Sequence, residues 1–219
     1  MNKAVIFDLD GTLLHTVPDI TDNINIMLTK FGYKTLSEKQ VAKLVGSGAR
    51  KLVYDCIGRD ITDTELDERL AFYNKIYTES TSPKTRLFDG IEELLLRLEN
   101  EGYKLAIMTN KPQETTDTVK KEHLYKFNFE KIVGASFGVK CKPDKTATEN
   151  LINYLEVDKE NVCFVGDGET DVLTSLNAGI KGIAVLWGYR EREDLEKVGA
   201  KLFAKDTKEL YKIITGKEW

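Results

Sequence analysis

The stretch KAVIFDLDGT, residues 3–12, carries most of the information about the fold of this chain. Its first half is a continuous apolar run, which is typical of a strand buried on both faces of a parallel sheet. Its second half places Asp8 and Asp10 where that strand ends, with Gly11 in the turn that follows. Ligands of open parallel sheets bind beyond the carboxyl ends of the strands. Two carboxylates at that edge suit metal binding, or a nucleophile paired with an acid/base.

The two aspartates and the glycine could also belong to a calcium-binding loop or to a polar turn without chemistry, and their spacing bears on the first of these. A calcium-binding EF-hand loop has glycine at its sixth position and glutamate at its twelfth, between two helices. Counted from Asp8, Gly11 is fourth and Asp19 is twelfth, and the segment before them is strand-like. The spacing therefore excludes an EF-hand, whereas a polar turn without chemistry stays open on these residues alone.

The composition limits the classes to which the protein can belong. The chain has 219 residues, of which 41% are hydrophobic, so one large domain or two small ones can form a packed core. A net charge of −4 and the lack of a basic run argue against nucleic-acid binding. No apolar run approaches the roughly 20 residues that span a bilayer. Three cysteines without CxxC spacing, and a start without a signal-peptide pattern, predict a reduced, cytoplasmic location.

Strand-like and helical patterns alternate through most of the chain. Further apolar, strand-like runs lie at residues 104–108, 131–134, 161–165, 182–186 and 201–203. Helical patterns follow Asp89, Pro112, Pro143, Gly168, Arg190 and Lys205. This alternation predicts an α/β fold with a Rossmann-like, doubly wound parallel sheet that is covered on both faces.

Residues 16–85 interrupt this alternation with a long stretch that contains no convincing strand. Ordered loops of such length are uncommon, so we expect a folded insert. Its signals are helical, since Pro18 suits a first helical turn and Ser37 and Thr62 each begin a capping box. We predict a helical domain at residues 16–85, inserted into an α/β core that comprises residues 1–15 and 86–219.

Polar side chains follow several of the predicted strands. Thr109 and Asn110 come after the second strand, and Asp167 and Asp171 come after the run at residues 161–165. If these strands are parallel neighbours of the first, the polar groups gather at one edge of the sheet. Each signal is weak alone, because a threonine there often caps a helix and glycines around an aspartate often form only a turn.

The gathered groups would combine several carboxylates with phosphate-binding donors. Like charges so close are unfavourable unless some are protonated or a cation is bound. Oxygen-only ligands favour a hard ion such as Mg²⁺. Lys142, Thr109 and the amides of the turns suit phosphate oxygens. A metal, a lysine, a hydroxyl and a carboxylate nucleophile together predict phosphoryl transfer.

Four segments, in this order, make the chain resemble the haloacid dehalogenase superfamily of phosphatases over nearly its whole length. They are DLDGTL (residues 8–13), TNK (109–111), KP (142–143) and GDGETD (166–171). The helical insert looks like the cap of the subgroup that contains phosphoglycolate phosphatase and β-phosphoglucomutase. The segment WGYR, residues 187–190, is also similar to the phosphoglycolate phosphatase branch.

The resemblance implies roles for the four aspartates. Asp8 would be the nucleophile that forms an aspartyl-phosphate, and Asp10 would protonate the leaving alkoxide and then activate water. Mg²⁺ would be held by Asp8, Asp167 and the backbone carbonyl of Asp10, and Asp171 would orient that shell or join it.

The resemblance also implies a set of substrate contacts. Thr109 and Lys142 would hold the transferring phosphoryl group, with Asn110 adding a weaker contact. The loop at residues 46–50 looks like a cap loop that reaches the substrate, so Arg50 would pair with a substrate carboxylate or phosphate. A solvated arginine at the start of a helix is the alternative for Arg50, and it stays open.

Several other functions compete with a phosphatase. The dehalogenase branch lacks the second aspartate, so Asp10 favours phosphate chemistry. A phosphomutase of the β-phosphoglucomutase type keeps both aspartates, but such relatives often carry an apolar residue where Thr12 stands. A non-catalytic phosphoacceptor or binding protein is a third alternative, although receiver domains are much shorter.

We therefore predict a Mg²⁺-dependent phosphatase that acts on a small phosphorylated metabolite. Phosphoglycolate is the first expected substrate, while sugar phosphates, nucleotides and pyrophosphate stay open. We expect no nucleic-acid or membrane partner, and a monomer or weak homodimer.

Overall fold

The computed structural model describes residues 3–136, 140 and 142–219. Its strands are β1 (Lys3–Phe7), β2 (Leu14–His15), β3 (Arg86–Leu87), β4 (Tyr103–Pro112), β5 (Phe129–Ala135), β6 (Val162–Gly166), β7 (Lys181–Val185) and β8 (Phe203–Ala204). Six of them form one sheet in the order β5-β4-β1-β6-β7-β8. Every neighbouring pair in this sheet is parallel, with β1 between β4 and β6. The first strand of the chain therefore lies at the centre of the sheet.

Helices cover both faces of this sheet and form the insert. They are α1 (Val17–Lys30), α2 (Glu38–Ala42), α3 (Ala49–Ile57), α4 (Asp63–Glu79), α5 (Ile91–Asn100), α6 (Gln113–His123), α7 (Lys145–Leu155), α8 (Glu169–Ala178), α9 (Arg192–Lys197) and α10 (Thr207–Thr215). The predicted α/β fold with a doubly wound parallel sheet is thus confirmed, and α8 begins directly after Gly168, as the sequence indicated.

Strand β1 shows why its sequence is continuously apolar. Val5 and Phe7 pack in the larger apolar cluster, with α5 and α10, whereas Ala4 and Ile6 pack in a second cluster with α7. Successive side chains of a strand point to opposite faces. Both faces of β1 are covered, so all four positions are apolar and at most 1% exposed.

The end of β4 differs from the prediction. We expected the strand to stop at Met108, but pairing with β5 resumes at Pro112 after an irregular register. Thr109 and Asn110 therefore lie within β4 rather than beyond it. A local break in the register is not visible in the apolar pattern, because it depends on the pairing partner.

The insert consists of helices α1 to α4, which surround an apolar cluster of their own. Ile24, Met27, Leu28 and Val53 in this cluster are fully buried. Helix α1 begins at Val17 with Pro18 in its first turn, and Thr62 caps α4 by accepting a hydrogen bond from the amide of Glu65. No helix of the described part of the chain is both long and apolar enough to cross a membrane.

A short antiparallel ribbon joins the insert to the sheet domain. Strands β2 and β3 pair Leu14 with Leu87 and His15 with Arg86. The sequence did not predict this ribbon, because two-residue strands are too short to show a periodic pattern. Its two strands lie side by side, so the chain enters and leaves the insert at one place.

Candidate functional site

The carboxyl ends of the central strands bring the predicted polar residues together. Asp8 follows β1, Thr109 lies near the end of β4, and Asp167 follows β6. Lys142 lies just before α7, and Asp171 lies in the first turn of α8. All five residues are buried, with 3% to 6% of their surface exposed. Residues far apart in the chain thus form one group because parallel strands end at the same edge.

Lys142 joins two of the carboxylates. Its Nζ atom lies 2.6 Å from Oδ1 of Asp8 and 2.7 Å from Oδ1 of Asp171. Its side chain is only 2% exposed. A lysine buried to this degree requires paired charges, and both partners here are buried as well.

Three carboxylates form the part of the site that could hold a cation. Asp8, Asp167 and Asp171 each offer one oxygen, and these oxygens lie within 4.8 Å of one another. Close packing at glycines allows this arrangement. A Cβ atom on Gly11 would come 2.4 Å from Oδ2 of Asp167, and one on Gly166 would come 2.3 Å from Cγ of Asp171. The glycines of both motifs therefore make room for the carboxylates.

Two hydrogen bonds orient the carboxylate of Asp167. The hydroxyl of Thr12 donates to Oδ1 at 2.9 Å, and the backbone N–H of Tyr189 donates to Oδ2 at 2.8 Å. From the sequence, Thr12 was notable only because phosphomutases often carry an apolar residue there, and Tyr189 only as part of the WGYR segment. Their contact with Asp167 depends on the pairing of distant segments, which the sequence does not show.

The electrostatics of the group reflect burial and crowding. Burial, together with the neighbouring Asp171, raises the pKa of Asp8 well above its usual value. The same two causes raise the pKa of Asp167 to about 7. Burial alone would lower the pKa of Lys142, but the carboxylates of Asp171 and Asp8 outweigh it and raise that pKa. The carboxylates therefore lie where additional positive charge would be strongly favourable.

Asp10 lies apart from this group and pairs with a second buried lysine. Nζ of Lys111 is 3.1 Å and 3.3 Å from the two carboxylate oxygens of Asp10, and it donates to the hydroxyl of Tyr77 at 2.7 Å. Tyr77 belongs to α4 of the insert. The sequence assigned no role to Lys111. Its place in the TNK segment was the one signal that could have indicated a functional lysine.

A small chamber lies between the carboxyl ends of the central strands and the insert. Its volume is about 40 Å³. On the sheet side it is lined by Asp8, Asp10, Thr109, Asn110, Lys111 and Pro112, and on the insert side by Ile20, Val45, Gly46, Gly48, Ala49, Leu52, Tyr73 and Tyr77. Lys111 is the one cationic side chain among the described residues that line it.

The side-chain amide of Asn110 has two backbone partners. Its Nδ2 atom donates to the carbonyl of Gly46 at 2.9 Å and to the carbonyl of Lys142 at 3.2 Å. Both hydrogens of this amide are therefore engaged, and neither is available to a phosphate oxygen in this arrangement. Asn110 instead links the insert loop at Gly46 to the segment that carries Lys142.

The structure does not bring Arg50 to the chamber. Its guanidinium pairs with Asp67 and, at 2.9 Å, with Asp63, and its side chain is 47% exposed. Both partners belong to the beginning of α4, so the arginine links α3 to α4 at the surface. Arg50 is not among the residues that line the chamber, and the alternative of a solvated arginine matches its position.

Comparisons with known proteins agree with this geometry. The family model for haloacid dehalogenase-like hydrolases matches residues 5–185. A phosphoglycolate phosphatase of Rhodospirillum rubrum is 33% identical over 207 residues, which are 91% of this chain and 86% of the relative. An N-acetylmuramic acid 6-phosphate phosphatase of Pseudomonas aeruginosa is 31% identical over 192 residues, covering 88% and 85% of the two chains.

A solved structure from Lactobacillus delbrueckii subsp. bulgaricus, provisionally named a phosphoglycolate phosphatase, superposes with a TM-score of 0.91. It is 28% identical, and the match covers 99% of this chain and all of the other. The family match begins in β1 and ends in β7, so it includes the four segments DLDGTL, TNK, KP and GDGETD. The chain therefore belongs to the haloacid dehalogenase-like hydrolase family and is an enzyme of its phosphatase type.

Proposed function

We propose that this enzyme is a Mg²⁺-dependent phosphatase that hydrolyses a small phosphate monoester through an aspartyl-phosphate on Asp8. The observation that carries the proposal is the group of Asp8, Lys142, Asp167 and Asp171 at the ends of the central strands. In this group, the carboxylate of Asp8 lies beside the ammonium group of Lys142 and beside two further carboxylates that could hold a metal ion.

The residues present fit a divalent cation. Four carboxylates, those of Asp8, Asp10, Asp167 and Asp171, face two ammonium groups, those of Lys111 and Lys142. When all are ionised, a formal charge of −2 is left, which one divalent ion would neutralise. The donors are oxygens, which Mg²⁺ prefers. When bound, Mg²⁺ would offset the negative charge of the phosphoryl group during transfer.

We assign the chemical steps to the two aspartates of the first motif. A carboxylate oxygen of Asp8 attacks phosphorus, and the bond between phosphorus and the leaving oxygen breaks. Asp10 gives its proton to that oxygen, so an alcohol leaves. Water then attacks the phosphorus of the aspartyl-phosphate while Asp10 takes a proton from it, and inorganic phosphate leaves Asp8.

Thr109 and Lys142 assist the phosphoryl transfer in different ways in this proposal. Thr109 lines the chamber beside Asp8, so its hydroxyl can donate to a phosphoryl oxygen there. Lys142 lies behind Asp8 and does not line the chamber, but its charge is 2.6 Å from the nucleophile. It therefore orients Asp8 and stabilises the negative charge that gathers next to it.

We propose that helices α1 to α4, at residues 16–85, act as a cap on a core formed by residues 1–15 and 86–219. The support is that the insert has its own apolar cluster and supplies one wall of the chamber. A cap that covers the site excludes water from the reaction, which strengthens electrostatic interactions within it. The paired strands β2 and β3 place both connections to the core together.

The chamber supports a substrate with a short leaving group, and we propose phosphoglycolate. The chamber is small, with a free volume of about 40 Å³, so a short leaving group fits it better than a bulky one. Lys111 offers a positive charge to the carboxylate of such a substrate. Relatives that are named phosphoglycolate phosphatases support the same choice.

A panel of monoesters tests this proposal. Purified enzyme with Mg²⁺ would be assayed for phosphate release from phosphoglycolate, ethyl phosphate, a hexose phosphate and a nucleoside monophosphate. We expect kcat/KM to be highest for phosphoglycolate. Phosphate transfer to a second substrate hydroxyl, without release to water, would instead identify a phosphomutase, and no turnover of any ester would refute the phosphatase proposal.

Replacing Lys111 with methionine is expected to impair the proton transfer by Asp10. Methionine keeps much of the length of the side chain but loses the bonds to Asp10 and Tyr77. An alkoxide needs a proton to leave, whereas p-nitrophenolate leaves without one. We expect kcat/KM to fall about 10- to 100-fold more for ethyl phosphate than for p-nitrophenyl phosphate, because a misplaced acid loses part of the roughly 10²- to 10⁴-fold that a positioned acid supplies.

The control for this variant is Lys126→Met. Lys126 is an exposed lysine that pairs with Glu92 at 3.2 Å, so its loss should change neither rate. Equal losses for both esters in Lys111→Met would show that Lys111 does not act through Asp10.

A further inference from the structure

The WGYR segment, residues 187–190, follows β7 and contacts both the metal-ligand group and the insert. The backbone N–H of Tyr189 donates to Oδ2 of Asp167 at 2.8 Å. The hydroxyl of the same tyrosine accepts the backbone N–H groups of Thr16 at 2.9 Å and Val17 at 3.1 Å. These two residues begin the insert, so Tyr189 joins the site, through its backbone, to the start of α1, through its side chain.

Arg190 extends this link to the far side of the insert. Its Nη1 donates to the carbonyl of Ala42 at 2.9 Å, and its Nη2 donates to the carbonyl of Val45 at 2.6 Å. Its Nε donates to Oε2 of Glu169 at 2.8 Å, and Glu169 is the first residue of α8. The side chain is 13% exposed, so the three contacts are largely shielded from water. Such use of a planar guanidinium requires arginine rather than lysine.

The segment that Arg190 holds is the loop between α2 and α3. This loop has a third contact with the core, since Asn110 donates to the carbonyl of Gly46. Three carbonyls between the end of α2 and the middle of the loop, those of Ala42, Val45 and Gly46, are thus held by two core side chains. The residues that follow them, Gly48 and Ala49, line the chamber directly.

We propose that Arg190 is a positioning residue that holds the α2–α3 loop against the core and thereby sets the size of the leaving group. The part about the leaving group rests on the proposed phosphatase function. Leu44 and Val45 of the loop pack in the apolar cluster of the insert, but Gly46 and Gly48, with φ of 123° and 89°, have no side chains that could hold the loop against the core. Without the bonds from Arg190, the loop keeps the bond from Asn110 to Gly46 but loses two of its three hydrogen bonds to the core, so its backbone can move away from the chamber and the wall that excludes bulky groups is weakened.

The test compares two alkyl esters that differ in bulk but share leaving-group chemistry. For the wild type and Arg190→Ala, kcat/KM would be measured with ethyl phosphate and with phenethyl phosphate. We expect the preference for ethyl phosphate to fall by about tenfold, which is the scale of discrimination by the fit of small apolar groups. A variant that merely folded less well would lose both activities in proportion, and an unchanged preference would overturn the proposal.

Two further variants sharpen the comparison. Arg192→Ala removes a neighbouring, exposed arginine that pairs with Glu196, and it should keep the wild-type preference. Arg190→Lys keeps the charge but cannot make three diverging bonds, so we expect it to resemble Arg190→Ala. A wild-type preference in Arg190→Lys would show that charge alone suffices and would contradict the positioning role.

Hydrogen exchange supplies a readout that needs no substrate. In Arg190→Ala, we expect faster amide exchange at residues 43–50 than in the wild type and Arg192→Ala, with unchanged exchange in β1 and β6. Unchanged exchange at the loop would overturn the proposal even if the phosphatase function holds. If the wild type hydrolyses no ester, the proposed function fails and the leaving-group part fails with it, while the exchange result still decides whether Arg190 holds the loop.

Discussion

Asp8→Asn is expected to abolish turnover, lowering kcat by about 10⁴-fold or more, as removal of a covalent nucleophile does in other enzymes. Asparagine has nearly the same shape as aspartate, but its amide cannot attack phosphorus. Asp8 is the proposed nucleophile because it lies at the end of β1, lines the chamber and contacts Lys142 at 2.6 Å. Phosphate release from phosphoglycolate under saturating Mg²⁺ is the measurement.

The fold should survive this substitution. Removal of one of several crowded buried carboxylates relieves repulsion with Asp171 and Asp167, which raise the pKa of Asp8 together with burial. Circular dichroism and thermal unfolding would verify the fold, and mass spectrometry would verify that the asparagine has not deamidated. Asp117→Asn, at an exposed aspartate that accepts a bond from Gln113, is the matched control and should keep full activity. Substantial turnover by intact Asp8→Asn protein would reject Asp8 as the nucleophile.

Removal of divalent metal is expected to lower the phosphatase activity about as much as Asp8→Asn does. Treatment with EDTA followed by gel filtration should reduce activity to background, and added Mg²⁺ should restore it. The physical reason is the formal charge of −2 at a site where burial and Asp171 already raise the pKa of Asp167 to about 7. A dianionic phosphate ester would bind poorly there without a cation.

Binding of the metal can also be measured without activity. A ligand that binds only the folded state at 100 times its Kd stabilises that state by about 2.7 kcal/mol, so Mg²⁺ should raise the Tm of the wild type. Asp167→Asn removes one charge from the three-carboxylate group and should require more Mg²⁺ both for activity and for this stabilisation. Asp117→Asn should respond as the wild type does. Full activity in protein shown by elemental analysis to lack metal would refute the metal requirement.

The alternation of apolar runs was sufficient to predict the sheet and its helices. In β1, burial on both faces makes the four residues after Lys3 apolar, and in α8 the bounds follow from a glycine at each end. These signals are local, because a strand or helix that is buried leaves its period in its own sequence. The break in β4 and the β2–β3 ribbon were not predicted, since they depend on pairing and are too short or irregular to leave a period.

The grouping of Asp8, Lys142 and Asp167 could be anticipated from the sequence because parallel strands end at one edge of a sheet. The positions of Asp8 and Asp167 after strands and of Lys142 before a helix, together with the order of the four motifs, were enough to place them together. The roles assigned to them stay predictions until the variants are measured.

The amino-acid sequence by itself determined the α/β class, the family and the residues at the strand ends. The periodicity of each element and the residues of each motif are local features, and the order of the motifs is visible along the chain. Only the tertiary structure decided which partners the long cationic side chains find. In the folded chain, Arg50 pairs with Asp63 and Asp67, and Lys111 pairs with Asp10. Arg190 donates a hydrogen bond to the loop between α2 and α3. A flexible charged side chain can reach partners on several neighbouring elements, so its contacts depend on how those elements pack, which no local pattern records.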